Sequence, residues 1–253
     1  MELGLKGMKA AVTGGSRGIG KAIAMHLAQE GCDVSICARG EEGIAATRAE
    51  IEAEGVRSFG TALQGRDGDA VRGWMRETCD VFGGLDLLVC SLSGGGGTNE
   101  EGYWRRSFEI DVMSATRAVD EAYPHLKKSG KGSILVISSM AAAETFVSPM
   151  AYNAMKASLV TWSKQLAEQY APKGIRVNCL EPGPTMFPGS NWEMIKVARS
   201  RTYAGVLRQQ PTRRMGEVDE IAKSAVFLAS PAASWVTGAT LRVDGGYTKG
   251  VQF

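Results

Sequence analysis

Features that mark several other classes of protein are absent from this chain of 253 residues. No apolar run approaches the ~20 residues that a membrane-spanning helix needs. The first seven residues, Met1–Gly7, have no apolar core of the kind found in a signal peptide. The formal net charge is only +2, and no dense Lys/Arg cluster resembles a surface that tracks nucleic acid. We therefore expect a cytoplasmic protein that binds neither membranes nor nucleic acid.

Cysteine is sparse and has no paired pattern. Five cysteines occur, at positions 32, 37, 79, 90 and 179, and no two of them form a C-x-x-C pair. Four lie in or beside segments that we expect to be buried, so we interpret all five as small buried side chains with free thiols. Free thiols are typical of a reducing compartment. The spacing predicts no metal site.

Short apolar strands alternate with amphipathic helices along the chain. This alternation predicts an α/β fold in which a doubly wound parallel sheet of roughly seven strands carries helices on both faces. No proline-rich or low-complexity linker interrupts the chain, so we expect residues 1–253 to form a single domain. The predicted strands are 8–13, 33–37, 56–63, 85–90, 132–139, 175–180 and 240–244, and the predicted helices include 41–54, 68–82, 100–127, 150–171, 189–209 and 217–229.

The first strand leads directly into a glycine-rich turn at residues 14–20, with the spacing G-x-x-x-G-x-G. Such a turn lets backbone amides at the positive end of a helix approach a pyrophosphate. It can also be no more than a tight turn, but a second strand follows about twenty residues later, as in dinucleotide-binding folds. The predicted cofactor contacts in the turn are Gly14, Ser16, Arg17, Gly18, Ile19 and Gly20.

The second strand ends without the acidic residue that would bind the ribose 2′-hydroxyl of NAD. Ala38 and Arg39 occupy that place, and Arg17 in the glycine-rich turn can lie on the same side of the adenosine. Two guanidinium groups match the oxygens of a 2′-phosphate. The alternative is a pair of solvated surface arginines, but the missing acid favours NADP(H) as the cofactor.

The stretch from Ser139 to Lys156 carries the candidate chemistry. A buried strand ends at Ser139, and the next helix carries Tyr152 and Lys156 four residues apart, and therefore on one face. A phenol has an ordinary pKa of about 10, so it needs a nearby cation to act in acid–base catalysis at neutral pH. Ser139 can donate to the same substrate oxygen that Tyr152 would protonate. The pattern Y-x-x-x-K is common on helix surfaces, so the sequence on both sides of it must decide whether these two residues are catalytic.

Three further motifs follow in chain order: Arg176-Val-Asn178, Pro182-Gly183 and Val243-Asp-Gly-Gly246. Together with the glycine-rich turn, Ser139 and Tyr152 with Lys156, they resemble the short-chain dehydrogenase/reductase family, including its 3-oxoacyl-carrier-protein reductases. The resemblance spans residues 5–247. It implies a Rossmann fold in which Tyr152 is the general acid/base, Lys156 binds the nicotinamide ribose and Ser139 orients the carbonyl. The further cofactor contacts that it implies are Gln64, Ser91, Tyr152, Lys156, Pro182 and Gly183.

The chain departs from the family pattern at two places near the expected site. The family usually has Asn-Asn-Ala-Gly after the fourth strand, whereas this chain has Cys90-Ser-Leu-Ser93 followed by Gly94–Gly97. Asp111 stands where the family has a catalytic asparagine, and we include it among the candidate catalytic residues. A carboxylate there can accept a hydrogen bond from a water in a proton relay toward Lys156, but its negative charge opposes formation of a tyrosinate.

The resemblance implies an oxidoreductase that transfers a hydride between NADP(H) and a ketone or secondary alcohol. Apolar residues near the expected site suggest a largely apolar pocket, and the resemblance to acyl-carrier reductases makes a 3-oxoacyl thioester one candidate for the small-molecule substrate, beside other apolar ketones. A segment around residues 185–215 is expected to cover it. The candidate substrate contacts are Met140, Phe146, Met150, Phe187 and Trp192.

A non-catalytic NADP(H)-binding protein of the same fold is the alternative function. Asp111 and the altered segment after the fourth strand favour it, whereas the intact Ser139, Tyr152 and Lys156 oppose it. The predicted helices at 102–127 and 150–171 carry apolar residues around much of their circumference. In the family such helices pair across a two-fold axis, and we therefore expect a homotetramer.

Overall fold

The computed structural model describes residues 2–95, 97–146 and 149–251. Its strands are β1 (Lys9–Thr13), β2 (Asp33–Ala38), β3 (Ser58–Ala62), β4 (Leu87–Cys90), β5 (Ser133–Ile137), β6 (Arg176–Pro182), β7 (Thr185–Met186), β8 (Gly216–Glu217) and β9 (Thr240–Val243). Seven of them form one parallel sheet in the order β3-β2-β1-β4-β5-β6-β9, and β7 pairs with β8 in a small second sheet. The predicted single-domain, doubly wound α/β fold is confirmed.

Helices cover both faces of the main sheet. The α-helices are α1 (Gly18–Gln29), α2 (Glu41–Ala53), α3 (Gly68–Phe82), α4 (Glu101–Ser107), α5 (Ser114–Ser129), α6 (Met150–Tyr170), α7 (Asn191–Ala198), α8 (Ser200–Gln209) and α9 (Val218–Ala229). A π-helical turn (Phe108–Met113) joins α4 to α5, and short 3-10 turns lie at Met140–Ala142, Ala171–Lys173 and Pro231–Ala233.

The core has two halves, one on each face of the sheet. Val12 and Ile36 pack beneath α1, α2 and α9, whereas Leu88 and Val136 pack beneath α3, α5 and α6. Every residue of β5 is buried. Strands that are covered on both faces need apolar residues in continuous runs, and this requirement explains why they were recognisable in the sequence.

The order of the sheet changes direction between β1 and β4. The chain places β2 and β3 on one side of β1 and then crosses over to place β4, β5 and β6 on the other. Ligands of open parallel sheets bind outside the carboxyl ends of the strands at such a point. Thr13 Oγ1 accepts hydrogen bonds from the amides of Ser91 (2.8 Å) and Leu92 (3.1 Å), so the ends of β1 and β4 are tied side by side.

Two of the predicted helices are divided. The predicted helix 100–127 consists of α4, the π-helical turn and α5, because the chain widens into the π geometry at 108–113. The predicted helical region 189–209 consists of α7 and α8, because Arg199 between them has non-helical dihedral angles (φ −138°, ψ 55°). Apolar periodicity located these helical regions but not the irregular residues within them.

All five cysteines are free and buried, as predicted. Burial raises the pKa of the Cys37 and Cys90 thiols to about 12, so both are protonated and unreactive at neutral pH. Of the helices in the described ranges, none is long and apolar enough to cross a membrane. In the same ranges, no group of three or more His, Cys, Asp or Glu side chains could hold a metal ion.

Two tryptophans provide a matched test of this core. Trp74 of α3 is 1 % exposed and donates its indole N–H to Ser35 Oγ at 3.0 Å, whereas Trp235 is 98 % exposed. We predict that Trp74→Ala lowers the free energy of unfolding by about 3–5 kcal/mol, because it leaves a large cavity. Trp235→Ala should change it by less than about 0.5 kcal/mol. Chemical denaturation measures both values, and similar losses of unfolding free energy in the two variants would contradict the burial of Trp74 in the core.

Candidate active site

A cleft of about 990 Å³ opens at the carboxyl ends of the strands, where β1 and β4 lie side by side. Gly18 lies beside this cleft and Asp111 is buried behind Lys156, whereas Gln64 and Met150 lie outside it. The other predicted site residues line the cleft; they are Gly14, Ser16, Arg17, Ile19, Gly20, Arg39, Ser91, Ser139, Met140, Phe146, Tyr152, Lys156, Pro182, Gly183, Phe187 and Trp192.

The glycines of the glycine-rich turn stand where a larger side chain would be strained or would collide with its neighbours. Gly14 has a φ of 72°, and a Cβ at Gly20 would lie 2.3 Å from the Gly14 carbonyl oxygen. α1 begins at Gly18, and the first amides of a helix have no partner within it. Free amides, the positive end of the helix dipole and the missing side chains at the glycines suit a pyrophosphate. The turn therefore fits the phosphates of a dinucleotide.

Two arginines line the cleft beside the glycine-rich turn. Arg39 follows β2, Arg17 precedes α1, and both side chains are exposed. Within the described part of the chain, neither forms a salt bridge with a carboxylate, and Arg17 Nη1 donates a 3.4 Å hydrogen bond to the Gly189 carbonyl. Both guanidinium groups are thus available to an anion. Gln64, also predicted as a cofactor contact, follows β3, is exposed and does not line the cleft.

Tyr152 and Lys156 lie on the first two turns of α6, which begins after Pro149. The Lys156 ammonium is 5.7 Å from the centroid of the Tyr152 ring and donates to the Ile137 carbonyl at 3.2 Å. Because this carbonyl ends β5, the sheet itself fixes the distance of the ammonium from the strand end.

The two serines after β5 have different environments. Ser138 is buried, and its hydroxyl donates a 2.8 Å hydrogen bond to the Lys156 carbonyl. Ser139 is half-buried, and its oxygen accepts a 3.2 Å hydrogen bond from the Ala141 amide, which leaves its own hydrogen free to donate into the cleft. The geometry thus favours Ser139 over Ser138 as the residue that contacts a substrate oxygen.

Asp111 contacts Lys156 directly. Its Oδ1 atom lies 3.1 Å from the Lys156 ammonium, and its Oδ2 accepts a 2.9 Å hydrogen bond from the Gly94 amide. The sequence suggested a water between Asp111 and Lys156, and the structure has an ion pair there instead. Both side chains are almost completely buried, at 0 % and 3 % exposure.

Burial and charge act in opposite directions on Lys156. Burial by itself would lower the pKa of the Lys156 ammonium, but the Asp111 carboxylate and the Tyr152 phenol outweigh burial and raise this pKa above its ordinary value. A raised pKa keeps the ammonium charged throughout the neutral range. A permanent positive charge therefore lies behind the Tyr152 ring.

Pro182 and Gly183 form the wall of the cleft at the end of β6. A Cβ at Gly183 would lie 2.5 Å from Asp244 Cα, so this position requires glycine for space. Just behind them, Arg242 of β9 donates a 2.8 Å hydrogen bond to Glu181, which is 2 % exposed. Sequence reasoning missed this pair, although the parallel register of β6 and β9 places the two residues opposite each other. The pair fixes the strand end that carries Pro182.

An aromatic cluster contributes Phe146 and Trp192 to the lining of the cleft. Phe146 meets Trp192 and Tyr247 edge-on, with ring centroids 5.9 Å and 5.4 Å apart, and Met140 belongs to the same apolar cluster. Tyr247 was not predicted, and no local pattern at the end of the chain points to it. The cluster gives this part of the cleft an apolar surface.

The other two predicted substrate contacts have different surroundings. Phe187 lies against the glycine-rich turn, because a Cβ at Gly18 would be 2.7 Å from its ring. Met150 is 65 % exposed at the start of α6 and does not line the cleft. Helical spacing placed Met150 near Tyr152 but could not show that its side chain is on the outer surface.

Comparisons with known proteins agree with this geometry. A family model described as enoyl-(acyl carrier protein) reductase matches residues 14–248. Isoepoxydon dehydrogenase patN of Penicillium expansum is 37 % identical over 259 residues, which cover 99 % of this chain and 98 % of that protein. The 3-oxoacyl-[acyl-carrier-protein] reductase FabG of Staphylococcus aureus is 32 % identical over 94 % of this chain and 96 % of its own length.

The fold is also similar to that of a solved reductase structure that contains NADPH and L-sorbose. L-sorbose reductase from Gluconobacter frateurii, crystallised with NADPH and L-sorbose, superposes with a TM-score of 0.90 at 30 % identity. The match covers 99 % of this chain and 100 % of that chain.

Proposed function

The chain belongs to the short-chain dehydrogenase/reductase family and is an NADP-dependent oxidoreductase, and we propose that it interconverts a ketone and a secondary alcohol with Tyr152 as general acid/base. The observation that carries this proposal is the buried, charged Lys156 behind the Tyr152 ring, in the same cleft as Ser139. When bound, the cofactor supplies or accepts the hydride.

The chain's own residues handle the proton and the carbonyl. In the direction of reduction, the Tyr152 hydroxyl gives its proton to the carbonyl oxygen, and Ser139 donates a hydrogen bond to the same oxygen. The Lys156 ammonium stabilises the charge left on the phenol oxygen. In the direction of oxidation, Tyr152 takes the proton back.

The residues that we propose to bind the cofactor lie along the length of the cleft. The turn at 14–20 holds the pyrophosphate, Arg17 and Arg39 bind the 2′-phosphate, and Lys156 holds the nicotinamide ribose. Ser91, Pro182 and Gly183 border the remaining wall.

For the substrate, the aromatic cluster at Phe146 supports a largely apolar ketone, and 3-oxoacyl thioesters are candidates because FabG is among the relatives. The segment 185–215 would cover it, since Phe187 and Trp192 line the cleft. The five buried free thiols support a cytoplasmic location.

The non-catalytic alternative has less support. Its two sequence arguments were Asp111 and the segment after β4, yet Asp111 contacts the Lys156 ammonium directly instead of displacing it. Ser139, Tyr152 and Lys156 also line the same cleft, which supports a catalytic site. We therefore propose that the protein catalyses the reaction and does not only bind NADP(H).

The first prediction tests catalysis. Tyr152→Phe should lower kcat for NADPH oxidation by about 10²- to 10⁴-fold, because the ring stays but the proton donor is lost. The affinity for NADPH should change little. Tyr123→Phe is the control, because Tyr123 stacks on Tyr170 outside the cleft. An unaltered protein that binds NADPH but reduces none of a panel of ketones and 3-oxoacyl thioesters would favour the non-catalytic alternative.

The second prediction tests the cofactor. Ala38→Asp combined with Arg39→Ala should lower the ratio of kcat/KM for NADPH to that for NADH by at least about 10-fold, because a hydrogen bond to a charged group contributes about 1.5–3 kcal/mol. Arg66→Ala, on the exposed surface outside the cleft, is the control. Equal kcat/KM for both cofactors in the unaltered protein would refute the role of the arginines.

The third prediction tests the proposed homotetramer. Three large apolar side chains are exposed on elements that pack against one another: Trp104 on α4 (36 %), Phe108 on the π-helical turn (44 %) and Met150 on α6 (65 %). Such a surface suits a contact between copies of the chain. Light scattering at micromolar concentration should give a tetramer mass, and Phe108→Glu should lower it. Val197→Glu, at an 83 % exposed position on α7, should not. A monomer mass for the unaltered protein would contradict the proposal.

A further inference from the structure

Two departures from the family's sequence pattern meet in the structure. Gly94, in the segment after β4, donates its amide to Asp111 Oδ2 at 2.9 Å, and Asp111 Oδ1 lies 3.1 Å from the Lys156 ammonium. We propose that Gly94 and Asp111 act as one positioning unit: Gly94 orients the carboxylate, and the carboxylate holds the ammonium where it serves Tyr152. This inference rests on the proposed roles of Tyr152 and Lys156.

The Lys156 ammonium depends on Asp111 for charge compensation. Its hydrogen bond to Ile137, at 3.2 Å, goes to a neutral carbonyl. The titratable groups that face it are Asp111, Tyr152 and Cys179, and burial raises the pKa of the Cys179 thiol to about 12. A buried ammonium is stable only when it is paired. Asp111 is the group that supplies the opposite charge.

The orientation of the carboxylate depends in turn on Gly94. Within the described ranges, Asp111 Oδ1 has no hydrogen bond of good geometry, so the ion contact and the Gly94 amide are what hold the group. A Cβ at position 94 would lie 3.0 Å from Oδ2 and 3.4 Å from Ser107 Cα. Gly94 does not have a positive φ, so alanine can adopt the backbone. Alanine would therefore act by displacing the carboxylate.

A displaced carboxylate would let the ammonium shift relative to the phenol. An error of about 1 Å in the position of reacting groups can lower a rate by roughly 100-fold. Substrate binding is affected less, because the aromatic cluster at Phe146 lies on other segments of the chain.

The test compares Gly94→Ala with Gly102→Ala. Gly102 lies on α4, and a Cβ there meets nothing within 4 Å, so it receives the same methyl group in open space. With the ketone that the unaltered enzyme reduces fastest, Gly94→Ala should lower kcat roughly 10- to 100-fold, alter its pH profile and leave KM for the ketone nearly unchanged. Gly102→Ala should change none of these.

Variants of Asp111 separate positioning from simple destabilisation. Asp111→Ala should lower kcat at least as much as Gly94→Ala, and the double variant should be no slower than Asp111→Ala alone, because residues that act as a unit are not additive. Asp111→Asn keeps an acceptor for the Gly94 amide but not the charge, so it should recover only part of the kcat lost in Asp111→Ala. Its pH profile should still differ from that of the unaltered enzyme, because the negative charge is gone.

Two further readouts do not require turnover: NADPH binding followed by fluorescence, and the thermal unfolding midpoint without ligand. If the unaltered protein reduces no ketone, the proposed function fails, and non-additive unfolding midpoints for Gly94→Ala and Asp111→Ala still support the unit. Additive effects in these midpoints, or a Gly94→Ala variant whose kcat and pH profile match those of Gly102→Ala, would overturn the inference.

Discussion

The candidate site depends on the contacts that compensate the buried positive charge of Lys156. A charge this far from solvent is costly unless hydrogen bonds and an opposite charge compensate it. Ile137 at the end of β5 supplies the neutral acceptor, and Asp111 in the π-helical turn supplies the charge. Ser138 binds the backbone of the same lysine. A strand end, a turn and a helix must therefore keep a fixed relative position for the lysine to be buried at all.

The sheet makes this arrangement possible because it collects strand ends at one edge. Thr13 ties the segment after β4 to the end of β1, so the glycine-rich turn and the Gly94 segment border one cleft. At the other end of the cleft, the ion pair of Glu181 with Arg242 fixes the end of β6. Contacts of the sheet thus fix the strand ends at both of these places, and the helix α6 that carries Tyr152 and Lys156 packs beside them.

Features that depend on neighbouring residues could be predicted from the sequence. The buried strands, the glycine-rich turn before α1 and the shared face of Tyr152 and Lys156 all follow from local spacing. Contacts between distant segments could not be predicted, and the hydrogen bonds of Gly94 to Asp111 and of Arg17 to Gly189 are examples. Local spacing also shows which residues share a face of a helix, but it does not show what that face contacts. Met150 was therefore predicted as a substrate contact, although its side chain is exposed.

The residues proposed for catalysis and those proposed for substrate contact lie on different parts of the chain. Ser139 follows β5, Tyr152 and Lys156 lie on α6, and the buried ion pair joins Lys156 to the π-helical turn. The aromatic cluster joins Phe146, Trp192 and Tyr247, which come from three loops or helices outside the main sheet. A change in one of these rings can reshape the apolar end of the cleft without moving Lys156. In the proposed function, the residues that handle the proton and the aromatic residues that would contact the substrate therefore belong to different parts of the molecule.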